Sequence, residues 1–331
     1  MSKKSAWKRF LEIKGMRNAL TAFAGLIVIY IVFGIINTKV FSAANMMNVL
    51  RSMSKYLLVG IGQSYVMITG NIDLSIGSVV AMSTMLVAKL MTMGVHPVIC
   101  ILIALVCGMA IGVINGYLVG KFKLPPFIAT LGTMFVARGI GYIVNNNRNT
   151  DGINKVLPKN TVDNFQNLFY YGKTLGIYNT FWIALIIFIA FFFFLSKTRT
   201  GRHIYAVGSN VDAARLAGVD VIKTTTVTYL VSAFCSTVVG IILCGQASMG
   251  NMEAGNMYEM YGVAAGVIGG VSPLGGSGLL LGTFAGAGVW QVLENGLNMV
   301  HAQVGIQRIV IGVIVVLSVL ADVLLRGRKK N

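Results

Sequence analysis

The sequence predicts an all-α integral membrane protein with about ten transmembrane helices, which form a single domain over residues 1–331. Of the 331 residues, 56% are hydrophobic and only 11% are charged, whereas soluble proteins carry about 25% charged residues. Several apolar runs of about 18 or more residues are long enough to cross a ~30 Å hydrocarbon core. The 27 Lys and Arg residues gather between these runs, a distribution that indicates membrane topology rather than nucleic-acid binding.

Ten predicted spans follow from the apolar runs and from the charges and turn residues that bound them. The spans cover residues 19–38, 56–70, 75–93, 97–120, 124–144, 179–196, 224–249, 259–275, 279–299 and 304–325. The second span is short and glycines interrupt the eighth. These two are therefore the candidates for bent or discontinuous segments.

The distribution of basic residues predicts that both termini lie in the cytoplasm. Seventeen Lys and Arg residues fall on the N-terminal side of the membrane, seven on the other side and three within spans. The cytoplasmic parts are the basic N-terminus 1–18, a loop over 197–223 and the basic tail 326–331, and residues 145–178 form an outer loop. The run 19–38 exceeds the usual signal-peptide core of about 7–15 residues and is interpreted as a signal anchor. No loop could hold a catalytic domain, so an energy source or ligand-capturing domain would be a separate chain.

The sequence lacks motifs for metal binding or catalysis. The four cysteines lie within apolar runs without a C-x-x-C pair, and the three histidines form no ligand pair. A glycine-rich segment over 262–288 could suggest a phosphate loop, but the string G-x-x-x-x-G-K-[ST] occurs nowhere in the chain. We therefore expect no catalytic residues, no metal and no cofactor bound by this chain.

Four glycines recur every four residues in the fourth span. This spacing puts them on one helical face, where another backbone could approach closely. The residues predicted to pack in this way are Gly108, Gly112, Gly116 and Gly120.

Two short similarities, each separated by 180 residues, indicate an internal repeat. Residues 70–73 resemble 250–253, and residues 115–116 resemble 295–296. The offset corresponds to five spans, an odd number, so the two copies would face opposite ways across the membrane. Many transporters use such an inverted repeat for alternating access.

An acid, Asp73, lies in the polar segment 69–78 between the second and third spans. A carboxylate at a helix centre costs about 2.5–3.5 kcal/mol on insertion scales, so Asp73 should lie at a break, a cavity or an interface. Two interpretations stay open: Asp73 lines the substrate pathway, or it caps the helix that begins near Leu74. The predicted pathway residues are Asn71, Asp73, Ser75, Glu259 and Tyr261.

Other charges lie in or beside the later spans. Glu259 and Glu294 are the acids, and Arg138 and Arg308 are the bases. Pairing among these four is open, as is the choice between a structural ion pair and a proton relay. With so few acids, the sequence does not require proton coupling.

The cytoplasmic segment 198–219 carries the signals of a short docking helix. Ser209 or Asn210 can cap it, and Gly218 can end it. The alternative is an ordinary loop held by anionic lipid, to which its arginines are suited. The residues predicted to couple to a partner are Gly208, Ser209, Asn210, Asp212, Ala213, Arg215, Leu216 and Gly218.

Segments spread over nearly the whole chain resemble the permease subunits of ABC importers for monosaccharides, of the ribose, xylose and galactoside type. These segments are residues 70–78, 126–134, 198–219 and 269–272. The resemblance implies a type II importer-like fold in a bacterial inner membrane, with 209–218 as the coupling helix. It also implies three kinds of protein partner: a second permease copy, identical or similar; cytoplasmic ABC ATPases that use ATP and Mg; and an extracytoplasmic sugar-binding protein.

The chain departs from this family's pattern in one segment, 259–265. Tyr261 stands where the family usually has a carboxylate, and Pro273 is also not the commonest residue at its position. A sugar alcohol or another small polar compound therefore stays open as cargo. An ion-coupled secondary carrier is the alternative from another class of transporter.

Overall fold

A computed structural model describes residues 15–310 and, beyond them, positions 312, 313, 316 and 320. Residues 1–14 of the predicted cytoplasmic N-terminus, the tail 326–331 and half of the tenth predicted span lie outside the described residues. The described part is helical except for loops and one two-stranded hairpin, β1 (Lys173–Thr174) and β2 (Ile177–Tyr178). The all-α prediction is confirmed.

The first half of the chain contributes five long helices. These are α1 (Met16–Ile36), α2 (Ala43–Ile68), α3 (Ile76–Thr92), α4 (Pro97–Gly120) and α5 (Pro126–Ile143). Proline occupies the first turn of both α4 and α5, where its missing N–H removes no helical hydrogen bond. A short 3₁₀ turn, Thr38–Phe41, joins α1 to α2.

The second half begins with α6 (Lys159–Gln166) and the hairpin, both in the predicted outer loop. The helices that follow are α7 (Asn179–Lys197), α8 (Arg199–Ser209), α9 (Val211–Leu216), α10 (Val221–Ala247), α11 (Tyr258–Ile268) and α12 (Leu280–Met299). A further helix, α13, begins at residue 304.

Within the described residues, five helices are long and apolar enough to cross a membrane, namely α10 and the helical stretches Asn18–Ile36, Pro97–Gly120, Pro126–Ile143 and Asn179–Lys197. In the most apolar stretch of α10, 78% of the residues are buried, whereas only 22–28% are buried in the corresponding stretches of the other four helices. Helix α10 therefore lies inside the bundle, packed against α2, α3 and α4, while the other four offer apolar faces to lipid.

Two predicted spans have the wrong limits. The second was predicted to begin at residue 56, but α2 begins at Ala43, where the Ser42 hydroxyl accepts a hydrogen bond from the Asn45 N–H. The charge that suggested a loop is accommodated inside the helix, because the Arg51 guanidinium lies 4.6 and 4.1 Å from the rings of Tyr170 and Tyr178. The eighth predicted span ends at Ile268 rather than 275, so α11 is a short helix followed by a glycine-rich turn.

The order of the helices matches the predicted inverted repeat. Helices α10, α11, α12 and α13 begin about 180 residues after α2, α3, α4 and α5, in the same order. Non-helical segments follow the first helix of each set, at 69–75 and 248–257. Five long helices precede α10 from α2 onward, so the two sets run in opposite directions across the bundle.

Candidate functional site

Asp73 fixes the non-helical segment 69–75 to the centre of the bundle. Its Oδ1 accepts hydrogen bonds from the Ser75 N–H at 2.8 Å and the Ser75 hydroxyl at 2.6 Å, and its Oδ2 accepts one from the Ser232 hydroxyl of α10 at 2.6 Å. The side chain is only 2% exposed. Asp73 therefore bonds Ser75, the residue before α3, and faces the protein interior. It does not act as the predicted helix cap, because α3 begins at Ile76 with Ser75 in the N-cap position and without a side-chain cap hydrogen bond.

A chain of buried hydrogen bonds continues from this segment into two more helices. The Asn115 amide of α4 donates to the Ser75 hydroxyl at 3.0 Å, and the Thr133 hydroxyl of α5 donates to the Asn115 amide oxygen at 2.6 Å. Because lipid supplies no competing partner, such bonds hold neighbouring helices in register. The sequence analysis missed Thr133 and Ser232; their signal is a polar residue inside an apolar run.

A cleft of about 320 Å³ opens beside the segment 69–75. It is lined by Met67, Gly70, Asn71, Ile72, Pro125, Pro126, Phe127, Val263 and Pro273. Its volume lies at the lower end of the range of about 300–1,000 Å³ for small-molecule sites. Of the five predicted pathway residues, Asn71 lines this cleft, whereas Asp73 and Ser75 are buried away from it.

The other two predicted pathway residues lie on α11. A Cβ atom added to Gly77 of α3 would lie 2.6 Å from Glu259 Oε2 and would also meet the Gly255 carbonyl. The N-terminal ends of α3 and α11 therefore lie against each other, with Glu259 at their contact. Helix N-termini that meet beside a break in the helical structure are a feature of transporter binding sites.

Tyr261 points into a separate aromatic cluster. Its ring centroid lies 5.6 Å from those of Tyr56 and Tyr258 and 4.9 Å from that of Trp290. The Tyr56 hydroxyl donates to Glu294 Oε2 at 2.7 Å. Tyr261 is therefore not among the residues that line the cleft.

Arg138 binds backbone and a hydroxyl rather than a carboxylate. Its Nη1 donates to the carbonyls of Met252 at 2.8 Å and Ala254 at 3.1 Å, and its Nε donates to the Ser78 hydroxyl at 3.2 Å. Through these bonds α5 holds the segment 248–257 against α3. The arrangement is a structural clamp of hydrogen bonds, which is neither of the two alternatives, an ion pair or a proton relay, that the sequence left open.

The four glycines of α4 all face α10. A Cβ atom at Gly112 would lie 2.7 Å from the Tyr229 carbonyl oxygen, and one at Gly116 would lie 2.9 Å from the Thr226 Cβ. Added Cβ atoms at Gly108 and Gly120 would meet Thr237 and Ile222. The backbones of α4 and α10 thus approach more closely than any side chain would allow.

The segment 198–219, predicted to be cytoplasmic, contains two helices, where one had been predicted. They meet at Asn210, whose side chain accepts a hydrogen bond from the Ala213 N–H at 2.9 Å and so caps α9. Gly218, with φ of 81°, follows the end of α9. Leu216 is 91% exposed, and Asp212 and Arg215 form an exposed ion pair of 3.3 Å.

Helix α8 connects α9 to the walls of the cleft. Gly208 packs against the Ile68 carbonyl and the Gly276 N–H, so it faces the bundle, whereas the other seven predicted coupling residues are exposed. The Tyr205 hydroxyl donates to the Gly278 carbonyl at 2.7 Å. Burial raises the pKa of Tyr205 to about 12, so this hydroxyl stays protonated at neutral pH.

The fold and these sites define a multi-pass membrane transport component. The model of a family described as "Branched-chain amino acid transport system / permease component" matches residues 45–319, and the chain belongs to this family.

Sugar permeases are among its relatives. The chain is 35% identical to the ribose import permease protein RbsC of Bacillus subtilis, over 97% of this chain and 96% of the relative. It is 34% identical to RbsC of Escherichia coli K12, over 90% and 91% of the two chains. It is 31% identical to the D-allose transport system permease protein AlsC of E. coli K12, over 90% and 89%. These relatives confirm the resemblance to monosaccharide permeases. No solved structure matches the chain.

Proposed function

We propose that this chain is the membrane-spanning permease subunit of an ATP-driven importer and forms the pathway for a monosaccharide. Similarity to ribose and allose permeases supports the class of cargo. The volume of the cleft, about 320 Å³, is sufficient for a pentose or a hexose. Tyr261, the residue that departs from the family pattern, belongs to the aromatic cluster, so it gives no reason to prefer another cargo.

The observation that carries this proposal is the exposed helix α9 and its connection to the cleft. Leu216 and the Asp212–Arg215 pair project from α9 and would dock on a cytoplasmic ATPase. A movement of α9 would be transmitted by α8 to the end of α2 and to the turn 269–279. Gly208 of α8 packs against both of these elements, and Tyr205 of α8 bonds to the turn. These two elements supply Met67 and Pro273 to the wall of the cleft.

The energy and the cargo would come from separate chains. Since the chain contains no phosphate-loop string, ATP and Mg would bind to the partner ATPase, and this chain would hold no cofactor. An extracytoplasmic binding protein would deliver the sugar, and a second permease copy would complete the complex. The protein would lie in a bacterial inner membrane with both termini in the cytoplasm.

Alternating access would follow from the opposed repeats. The segments 69–75 and 248–257 lead to the touching N-termini of α3 and α11. Rocking of one set of helices against the other would open the cleft to one side and then to the opposite side. The Arg138 clamp would keep α3 and the segment 248–257 together during this movement.

Reconstitution into liposomes tests the proposal. The permease is combined with its ATPase and binding protein, and uptake of radiolabelled D-ribose and D-allose is measured with and without MgATP. We expect uptake that requires all three proteins and ATP hydrolysis. Uptake by the permease alone, driven by a proton or Na⁺ gradient, would contradict the proposal and identify a secondary carrier.

A further inference from the structure

Gln63 is a buried polar residue that lacks a partner. It lies in α2 with no exposed surface, and neither its amide oxygen nor its amide nitrogen forms a hydrogen bond within the described part of the chain. Two buried hydroxyls of α2 are paired: the Ser64 and Thr283 hydroxyls bond at 2.8 Å, and the Ser54 hydroxyl donates to the Leu50 carbonyl. An unpaired amide is costly inside a membrane protein and therefore calls for an explanation.

Gln63 lies next to the cleft, at the seam between α2 and α11. A Cβ atom added to Gly262 would lie 3.1 Å from the Gln63 Cβ, and one added to Gly266 would lie 3.3 Å from the Met67 Cε. Gln63 and Met67 are four residues apart, so they lie on one face of α2. Met67 and Val263, the neighbour of Gly262, both line the cleft. Gln63 is thus one helical turn beyond the cleft wall.

We propose that Gln63 is a cargo-binding residue for a polyhydroxylated neutral solute, an inference that rests on the proposed function. Met67 lines the cleft one turn from Gln63 on the same face of α2, and a shift of the Met67 side chain would extend the cleft towards Gln63. A carboxamide offers one acceptor and two donors in one plane. It can therefore accept from one hydroxyl of a sugar and donate to the next.

Two matched substitutions test the role of the amide. Gln63→Met keeps the length of the side chain and removes its hydrogen-bonding atoms, whereas Gln63→Glu keeps the acceptors. Gln291→Met is the control, because Gln291 is also buried with an unpaired amide oxygen, but it lies on α12, which contributes no residue to the cleft wall. Uptake of the sugar and of its monodeoxy analogues is measured in liposomes at saturating binding protein.

With wild-type protein we expect the sugar to be preferred over the monodeoxy analogue that lacks the bound hydroxyl. For Gln63→Met we expect a loss of about tenfold in this preference, which corresponds to one or two net hydrogen bonds. Gln63→Glu restores part of the preference, and Gln291→Met leaves it unchanged. A merely structural glutamine would change the amount of folded protein but not the ratio between two sugars.

The results separate this inference from the proposed function. Wild-type uptake combined with an unchanged preference in Gln63→Met would overturn the assignment of Gln63 alone. The same change of preference in Gln291→Met would also overturn it. Lack of sugar uptake by the complete wild-type complex would overturn the proposed function and this inference with it.

Discussion

At the scale of single residues, Asp73 combines two properties that are rarely found together in a membrane protein, a carboxylate and nearly complete burial. Three donors from Ser75 and Ser232 compensate the carboxylate. We expect Asp73→Ala to lower the free energy of unfolding by about 3 kcal/mol, because these donors lose their acceptor. Asp73→Asn keeps one acceptor and should lose about half as much. Thermal unfolding in detergent, followed by a thiol-reactive dye, measures the change, since Cys235 and Cys244 are buried.

The control for this prediction is Asp151→Ala, since Asp151 is exposed in the outer loop and should change stability by less than about 0.5 kcal/mol. A stable Asp73→Ala protein would contradict the structural role. If that stable variant also failed to transport sugar, the pathway interpretation of Asp73 would be favoured.

The types of residue at this site could be predicted from the sequence, but their partners could not. An acid between two apolar runs needs hydrogen-bond donors, so the sequence alone singles out Asp73. Ser232 and Thr133 are far from it in the chain, and small hydroxyl residues are common in membrane helices. The cleft could not be predicted from the sequence. Most of its lining consists of prolines, glycine and apolar side chains, and such residues do not distinguish a binding site from an ordinary membrane helix or turn.

At the scale of elements, the glycine face of α4 gives a sharp test of packing. We expect Gly116→Ala to destabilise the protein by about 1–3 kcal/mol, because the new methyl group would collide with Thr226. Gly25→Ala in α1 is the matched control, since a Cβ there meets nothing within 4 Å. It should be neutral or stabilising by up to about 1 kcal/mol, as alanine favours helix. Equal effects of the two substitutions on the thermal midpoint would contradict the close approach of α4 and α10.

Helix α9 gives a second test, this time of docking. We expect Leu216→Asp to weaken binding of the purified permease to its ATPase by about tenfold or more, as for an apolar contact at an interface centre. Leu216 is 91% exposed, so the change should leave folding intact. Leu175→Asp is the control, because Leu175 is 87% exposed at the tip of the outer hairpin. If both variants bound the ATPase as tightly as wild type, α9 would not be the docking helix.

Element limits were predictable where charge and hydrophobicity agree. Helices α3, α4 and α7 match the predicted spans within two residues, since each apolar run ends at charged or turn residues. The predicted span began too late in α2, because a charged residue such as Arg51 indicates a loop. In the structure the rings of Tyr170 and Tyr178, which are far along the chain, stack on Arg51 and let the helix include it. The span predicted for α11 extended too far. The backbone turns at Gly270, with φ of 84°, and no charged residue marks this turn in the sequence.

At the scale of the whole molecule, the sequence predicted the order of the helices and their opposed repeat, because both depend on counting apolar runs. The glycine spacing of the fourth span favours a central position for α4, and this prediction is wrong, because α10 is the more buried helix. Helices α4 and α10 are both strongly apolar, yet 28% of the apolar stretch of α4 is buried, against 78% of that of α10. Tertiary packing, through the glycine face and the Asp73 bonds, places α10 inside.

The orientation of the molecule can be tested with two single cysteines on either side of α7. Helix α7 has 19 residues and is therefore about 28 Å long, close to the thickness of the hydrocarbon core. Leu175 and Leu216 precede and follow it, so they should lie on opposite sides of the membrane. Because basic residues gather around Leu216, the positive-inside rule places this side in the cytoplasm.

We therefore expect Leu175→Cys to react with a membrane-impermeant maleimide in intact cells, and Leu216→Cys to react only in inverted vesicles. Both positions are highly exposed, so neither label should be limited by folding. The wild-type chain is the control, since Cys100, Cys235 and Cys244 are buried and Cys107 is partly buried. Labelling of both cysteines from one side would show that α7 does not cross the membrane. The reversed pattern would place α9 outside, where no ATPase could reach it.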